Sequence, residues 1–234
     1  MSAADSELPL VIPAGDAAAM VVFADEITIE VNSQVHALAH AIDRKHLAGV
    51  LDLVVAYSTL LIHYDPLAIT FGDVEEAVRE AVAAGLTHAE GEARLRELPT
   101  VYGGCYGPDL PEIARMAGMS EEDVIRLHSG ATYTVYMLGF APGFPYLGGL
   151  PPQLALPRLE TPRERVPEGT VAIANQTTIY ALTSPGGWRW VGRTPIKLFD
   201  PSKDSPTYVV AGDKVRFIPI TEEEYLAMGG EKCS

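Results

Sequence analysis

The chain has 234 residues, 47% of them hydrophobic, and a formal net charge of −14. This length can bury a sizeable core in one or two domains, and the composition excludes disordered and fibrous classes. The acidity excludes general attraction to nucleic acid or an anionic membrane, no apolar run approaches the ~18–20 residues that span a bilayer, and the acidic start MSAADSELPL reads as a cytoplasmic protein without a signal peptide.

The first third alternates strands and helices. AAAMVVFA is a short apolar strand, and a helix through VHALAHAIDRK follows, capped by Ser33 or Asn32, with Val35, Leu38, Ala39 and Ile42 at helical spacing. GVLDLVVAY and STLLIHYD form two strands whose short connection favours antiparallel pairing. Asp73 caps a second helix that stops at Gly85, with Glu75 and Glu76 in its first turn where the helix dipole favours acids. RLRELPT then closes a small α/β sandwich domain spanning residues 1–98.

A second domain, 99–234, begins at PTVYGGCYGPDL. PEIARMAG is a helix capped by Asp109 and closed by Gly118; EEDVIRLHSG is another, opened by Ser120 with Asp123 three residues on. Beyond Gly130 the helical period disappears. TYTVYMLGF, GTVAIANQ, TIYALTS, WRWVG and YVVAGDKVRFIPI are β-branched and aromatic, separated by Gly and Pro, which predicts a barrel or sandwich. TEEEYLAMGG forms a final short helix. The fold class is therefore α+β.

Several chemistries lack their motifs. No G-x-x-x-x-G-K-[ST] loop, G-x-G-x-x-G fingerprint or G-x-S-x-G elbow occurs. His36 and His40 sit four apart on one helix, but without a Glu beside the first His they do not make a zincin pattern, and no metal site is expected. Cys105 and Cys233 are too few and too far apart to imply a disulfide framework, so reduced thiols are expected.

Residues 151–197 stand out electrostatically. Six basic residues (Arg158, Arg163, Arg165, Arg189, Arg193, Lys197) face three acidic ones (Glu160, Glu164, Glu168), a local charge of +3 that leaves −17 on the rest. Prolines 152, 157, 162 and 167 stiffen this segment, and an arginine held in place loses less entropy on pairing with a carboxylate. Upstream, GFAPGFPYLGGLP sets Phe144 and Tyr146 among turn-forming residues as a rigid aromatic rim, with Phe140 expected to point into the core. Gln176 and Tyr180 supply neutral hydrogen-bonding groups, Trp188 and then Arg193 follow a Gly-Gly turn, and His128 ends a helix at the mouth of the expected barrel. Apolar aromatics, neutral donors and one or two arginines compose a pocket for a small polar anion.

In order and spacing, GGCYGPDL, RLHSGATYTVYMLGFAPGFPYLGGLP, PRLETPRERVPEGTVAIANQTTIY and SPGGWRWVGRTP resemble the family of the 5-oxoprolinase B subunit, also called the KipI family or allophanate hydrolase subunit 1. The resemblance implies a cyclophilin-like β-barrel after the N-terminal domain. It also implies ATP-dependent opening of 5-oxoproline (pyroglutamate) to glutamate together with the A and C subunits of that enzyme. Arg158, Arg163 or Arg193 would hold the substrate carboxylate, Gln176 and Tyr180 would contact the lactam, and His128 would be the acid/base. With no nucleotide motif here, ATP would sit on a partner protein or at an interface. Relatives also imply two alternatives: inhibition of a sensor histidine kinase, and a place in allophanate hydrolase or urea carboxylase. The sequence departs from the family pattern at Asn175-Gln176, where a Gly-rich turn is usual, and at Ala181, where Pro is usual.

Overall fold

The computed structural model describes residues 9–86 and 93–233, and the chain divides after Glu92 into two compact units. In the first, β1 (Leu10–Pro13), β2 (Ala18–Val22), β3 (Val50–Val55) and β4 (Thr59–Tyr64) form an antiparallel sheet in the order β1-β2-β4-β3. Alternation along the strands turns Ala19, Val21, Leu60 and Ile62 to one face. There they pack with Val35, Leu38 and Ile42 of α1 (Ile29–Lys45) and with Val74 and Val78 of α2 (Phe71–Ala83).

Both helix starts differ from expectation. Helix α1 begins earlier, with the Thr28 hydroxyl accepting from Val31 N at 3.1 Å. Asn32 lies inside the helix, 1% exposed, and its amide donates to Ala56 O (3.0 Å) and Tyr57 O (3.1 Å). Those two carbonyls in the β3–β4 connection would otherwise lose their water without a donor, so Asn32 is consumed as a tertiary tether instead of a cap. For α2 the cap is Thr70, and Asp73 completes a capping box with it. The Thr70 hydrogen bonds hold the Asp73 carboxyl below the usual carboxylate range.

The stretch RLRELPT does not close this first unit. It forms β5 (Leu95–Tyr102), which pairs in parallel with β13 (Lys214–Pro219) and antiparallel with β12 (Arg189–Arg193). A parallel partner requires a long crossover, and here the whole intervening chain supplies it. With β6 (Tyr133–Leu138), β7 (Pro145–Gly148), β9 (Thr170–Ala174) and β10 (Gln176–Ile179), these strands close a barrel in the order β10-β7-β6-β13-β5-β12-β9. A separate two-stranded sheet joins β8 (Arg163–Val166) to β11 (Ser184–Gly186).

Every barrel strand sends apolar side chains inward. Leu98, Tyr133, Leu147, Ile173, Ile179, Val191 and Phe217 are all 0% exposed and belong to one cluster. The barrel is therefore a filled core with no internal room for a ligand. Leu110 and Ile113 of α3 (Leu110–Ala117) and Val124 of α4 (Glu121–Gly130) join the same cluster. A last helix, α5 (Glu222–Ala227), buries Tyr225.

Candidate functional site

Because the interior is full, the other face of β7, β9 and β10 becomes decisive. Ala172 and Ala174 of β9 alternate with the inward Val171 and Ile173, so they point outward. On this outer wall they pack with Phe144, Tyr180 and Trp188, and Tyr146 and Trp190 flank the group. Ring centroids lie 5.1 Å apart for Phe144–Tyr146, 5.2 Å for Phe144–Tyr180 and 6.2 Å for Tyr146–Trp188, all near edge-to-face. Such pairs add about 0.5–1.5 kcal/mol each beyond their burial. The small alanines beneath leave room for the rings. The aromatic cluster is thus an outer-wall platform, not the mouth of a pocket inside the barrel.

Tyr180 reaches its place because Gly186 has no side chain: a Cβ there would lie 2.1 Å from the Tyr180 hydroxyl. Burial pushes the Tyr180 hydroxyl above its usual pKa, partly offset by a hydrogen bond with the Trp188 backbone and by Arg158 and Arg163. The Arg158 guanidinium lies 5.6 Å from the Trp188 ring centroid on the exposed side of the platform. No carboxylate lies within ion-pair distance of Arg158 among the described residues.

Arg163 has a different position. It donates to both carboxylate oxygens of Asp109, at 2.7 and 2.9 Å, while lying 4.5 Å from the Trp190 ring centroid. Asp109 is 7% exposed and accepts a further bond from Trp190 N at 2.8 Å. Its side chain does not cap α3; it ties β12 and β8 to that helix. Next to it, Arg189 donates to Glu112 (2.8 Å) and to Pro157 O (3.1 Å). The Trp190 indole nitrogen is buried without a hydrogen-bond partner among the described residues. This ion-pair layer was invisible in the sequence because 54 residues separate Asp109 from Arg163. Local spacing reveals a helix cap but cannot reveal a partner brought in by the barrel.

Three expected site residues lie elsewhere. His128 is 0% exposed and sits among Tyr133 and Phe217, 4.6 Å from the latter's ring centroid. The Thr177 hydroxyl donates to Ala172 O, so its oxygen accepts from His128 Nε2–H (2.9 Å), and the Tyr102 hydroxyl donates to Nδ1 (2.8 Å). Burial lowers the His128 pKa to about 3. Sealed, satisfied and neutral, it is a core histidine, and the expected acid/base at a barrel mouth is corrected. Arg193 lies away from the platform: its Nε donates to Glu168 O (2.9 Å) and its Nη2 pairs with Glu231 (3.2 Å). Gln176 faces outward on the same wall as Thr178 and Tyr180, but four residues along β10 place it about 13 Å from Tyr180.

Phe140 also departs from expectation. It is 64% exposed at φ 63°, and its ring meets Phe144 at 5.2 Å. A bulky residue in the left-handed region costs of order 1 kcal/mol. The hydrogen bonds Gly139 N→Phe144 O and Phe144 N→Ala141 O, both 3.0 Å, hold the loop that imposes it. Residues Leu138–Gly143 line an open hollow of about 340 Å³. Among the described residues, no cluster of three or more His, Cys, Asp or Glu is placed to hold a metal. No helix there is long and apolar enough to cross a membrane.

The model of the family described as carboxyltransferase domain, subdomain C and D, matches residues 9–209. Over 224 residues the chain is 42% identical to the 5-oxoprolinase B subunit of Bacillus subtilis, covering 91% of this chain and 93% of that protein. Over 211 residues it is 37% identical to the 5-oxoprolinase B subunit of Haemophilus influenzae, covering 89% and 96%. The chain belongs to the 5-oxoprolinase B-subunit family. Among solved structures, TTHA0988 shares 39% identity with a TM-score of 0.77 over 87% of this chain, which spans 40% of TTHA0988's length. Kluyveromyces lactis urea carboxylase, at 22% identity and a TM-score of 0.73, covers 93% of this chain and 22% of its own; it shares the fold.

Within the 5-oxoprolinase B-subunit family the departure at Asn175 has a structural explanation. Asn175 turns β9 into β10 at φ 59°, a conformation glycine adopts freely and asparagine tolerates best among other residues. Ala181 is fully buried in the barrel core.

Proposed function

We propose that this chain acts in the cytoplasm as the B component of an ATP-dependent 5-oxoprolinase, opening 5-oxoproline to glutamate together with the A and C subunits. The outer-wall platform receives the substrate. The observation that carries this reading is the Arg158 guanidinium, without a carboxylate partner among the described residues, on a wall of Tyr146, Tyr180 and Trp188. A five-membered lactam offers an apolar ring face to the aromatics and a carboxylate to the guanidinium. Arg163 holds that wall in place through Asp109. The lactam amide is stable, so its hydrolysis calls for activation of the carbonyl oxygen, and ATP supplies that activation. This chain carries no G-x-x-x-x-G-K-[ST] loop, and on this reading the nucleotide sits on a partner protein or at an interface. The exposed Phe140 favours loop 139–144 as the contact for such a partner.

The test is ATP hydrolysis stimulated by 5-oxoproline, measured on the chain alone and mixed with the A and C subunits. The mixture should turn over and the single chain should not; turnover by the single chain would overturn the division of labour. In the mixture, Arg158→Ala should raise the KM for 5-oxoproline about 10- to 100-fold, the equivalent of one charge-assisted hydrogen bond, with the fold intact. Arg163→Ala should instead lower stability by about 3 kcal/mol, because it leaves the Asp109 carboxylate buried without its partner. An unchanged KM for Arg158→Ala would remove that residue from the site.

A further inference from the structure

We propose that Cys105 and Cys233 form a reversible thiol–disulfide exchange site that latches the segment following α5 onto the barrel. The two residues are 128 apart in sequence, yet their Cα atoms lie 6.1 Å apart and their sulfurs are joined, a separation within the range that disulfides span. Neither half depends on the outer-wall platform, so the inference stands apart from the proposed substrate reading.

The segment is fitted to its bed. Gly230 crosses the face of Tyr225, where a Cβ would lie 2.3–2.5 Å from ring atoms, and its N donates to Tyr225 O at 3.0 Å. Glu231 then pairs with Arg193, and Cys233 packs beside Val101, Tyr106, Tyr225 and Ile220. Hydrogen bonds between the Cys233 backbone and the Tyr106 hydroxyl and between the Glu231 backbone and the Tyr225 hydroxyl add to these anchors, whereas the Glu231 side chain is 83% exposed and its pair contributes little. The covalent bond is the one anchor that thiol exchange can remove, and its loss leaves these few contacts to hold a short terminal segment. When it opens, Glu231 loses its tether and the Arg193 guanidinium loses its acidic cover.

Cys105 is an exposed residue in the glycine-rich turn after β5, whereas Cys233 is half-buried. A small thiolate of the glutathione class attacks Cys105 Sγ, the bond to Cys233 breaks, and Cys233 leaves as a thiolate. A second thiolate attacks the mixed disulfide, releases Cys105 as a thiolate and departs as the small-molecule disulfide. Closing is the reverse, with that disulfide as oxidant. The expectation of two independent reduced thiols is thereby corrected, since the fold pairs them.

The full chain, equilibrated over a series of reduced-to-oxidised glutathione ratios and quenched with N-ethylmaleimide, should pass in one transition from two labels per chain to none. It should remain a single chain on a non-reducing gel. Hydrogen exchange of residues 229–233 should accelerate at least ~10-fold in the reduced form. Glu231→Gln should keep both the transition and the oxidised protection. Two labels at every ratio, a bond formed only between chains, equal exchange in both forms, or loss of oxidised protection in Glu231→Gln would each overturn the latch.

Discussion

His128 shows how far a residue's role depends on what surrounds it. At the end of a helix and before a strand, it reads as a proton carrier near neutral pH. In place, its ring is sealed between Tyr133 and Phe217, with Tyr102 and Thr177 on its nitrogens. The consequence is a pH dependence of stability with a definite sign. The folded pKa is about 3 against an unfolded value of 6.5, so between these values the unfolded chain binds a proton that the folded chain refuses. Stability is fully present above pH 6.5 and is lost as pH falls through that window, by about 1.4 kcal/mol per unit. His128→Gln should flatten this contribution. Denaturation of parent and variant at pH 7, 6 and 5 checks it, and parallel curves would show that His128 does not titrate on unfolding. Arginines make the same point with charge: Arg158, Arg163 and Arg193 are equivalent by composition. Of these three, only Arg158 stays without a carboxylate among the described residues once the fold has assigned Asp109 and Glu231.

At the scale of elements, most strands and helices were legible, because their signals are local. Apolar, β-branched and aromatic runs between Gly and Pro marked β2, β4, β6, β9 and β13, and Ser120 and Gly118 marked helix ends by their own side chain or backbone freedom. Thr28 and Asn32 were not separable by pattern, since both types cap helices; only the carbonyls of Ala56 and Tyr57 decide between them. The β8–β11 sheet belongs to the same class of hidden feature. It brings Gly186 under Tyr180, so Gly186→Ala should push that ring off the platform. The expected cost is about 1–3 kcal/mol, the usual penalty for overpacking, with weaker 5-oxoproline binding by calorimetry. Unchanged stability would mean that Tyr180 relocates freely.

At the scale of the whole molecule, the placement of β5 sets the organisation. Its partners β12 and β13 lie far along the chain, so a reading that proceeds from neighbour to neighbour attaches it to the wrong unit. All seven barrel strands and α3–α5 lie after Glu92. A fragment of residues 93–234 should therefore unfold cooperatively and keep its near-ultraviolet circular dichroism, whereas a fragment starting at residue 99 should not, having lost half of β5. Cooperative folding of the shorter fragment would show that β5 is dispensable. The sequence by itself determined the α+β class, the family, and the kinds of side chain available to a site, because propensity, turn chemistry and long motifs are properties of contiguous residues. Tertiary structure alone decided that the aromatic platform lies outside the barrel, that His128 is sealed, that Arg163 belongs to Asp109, and that Cys105 meets Cys233. Each of those outcomes depends on which distant groups closure of the barrel brings within a few ångströms, and burial and pairing act over that distance whatever the separation in sequence.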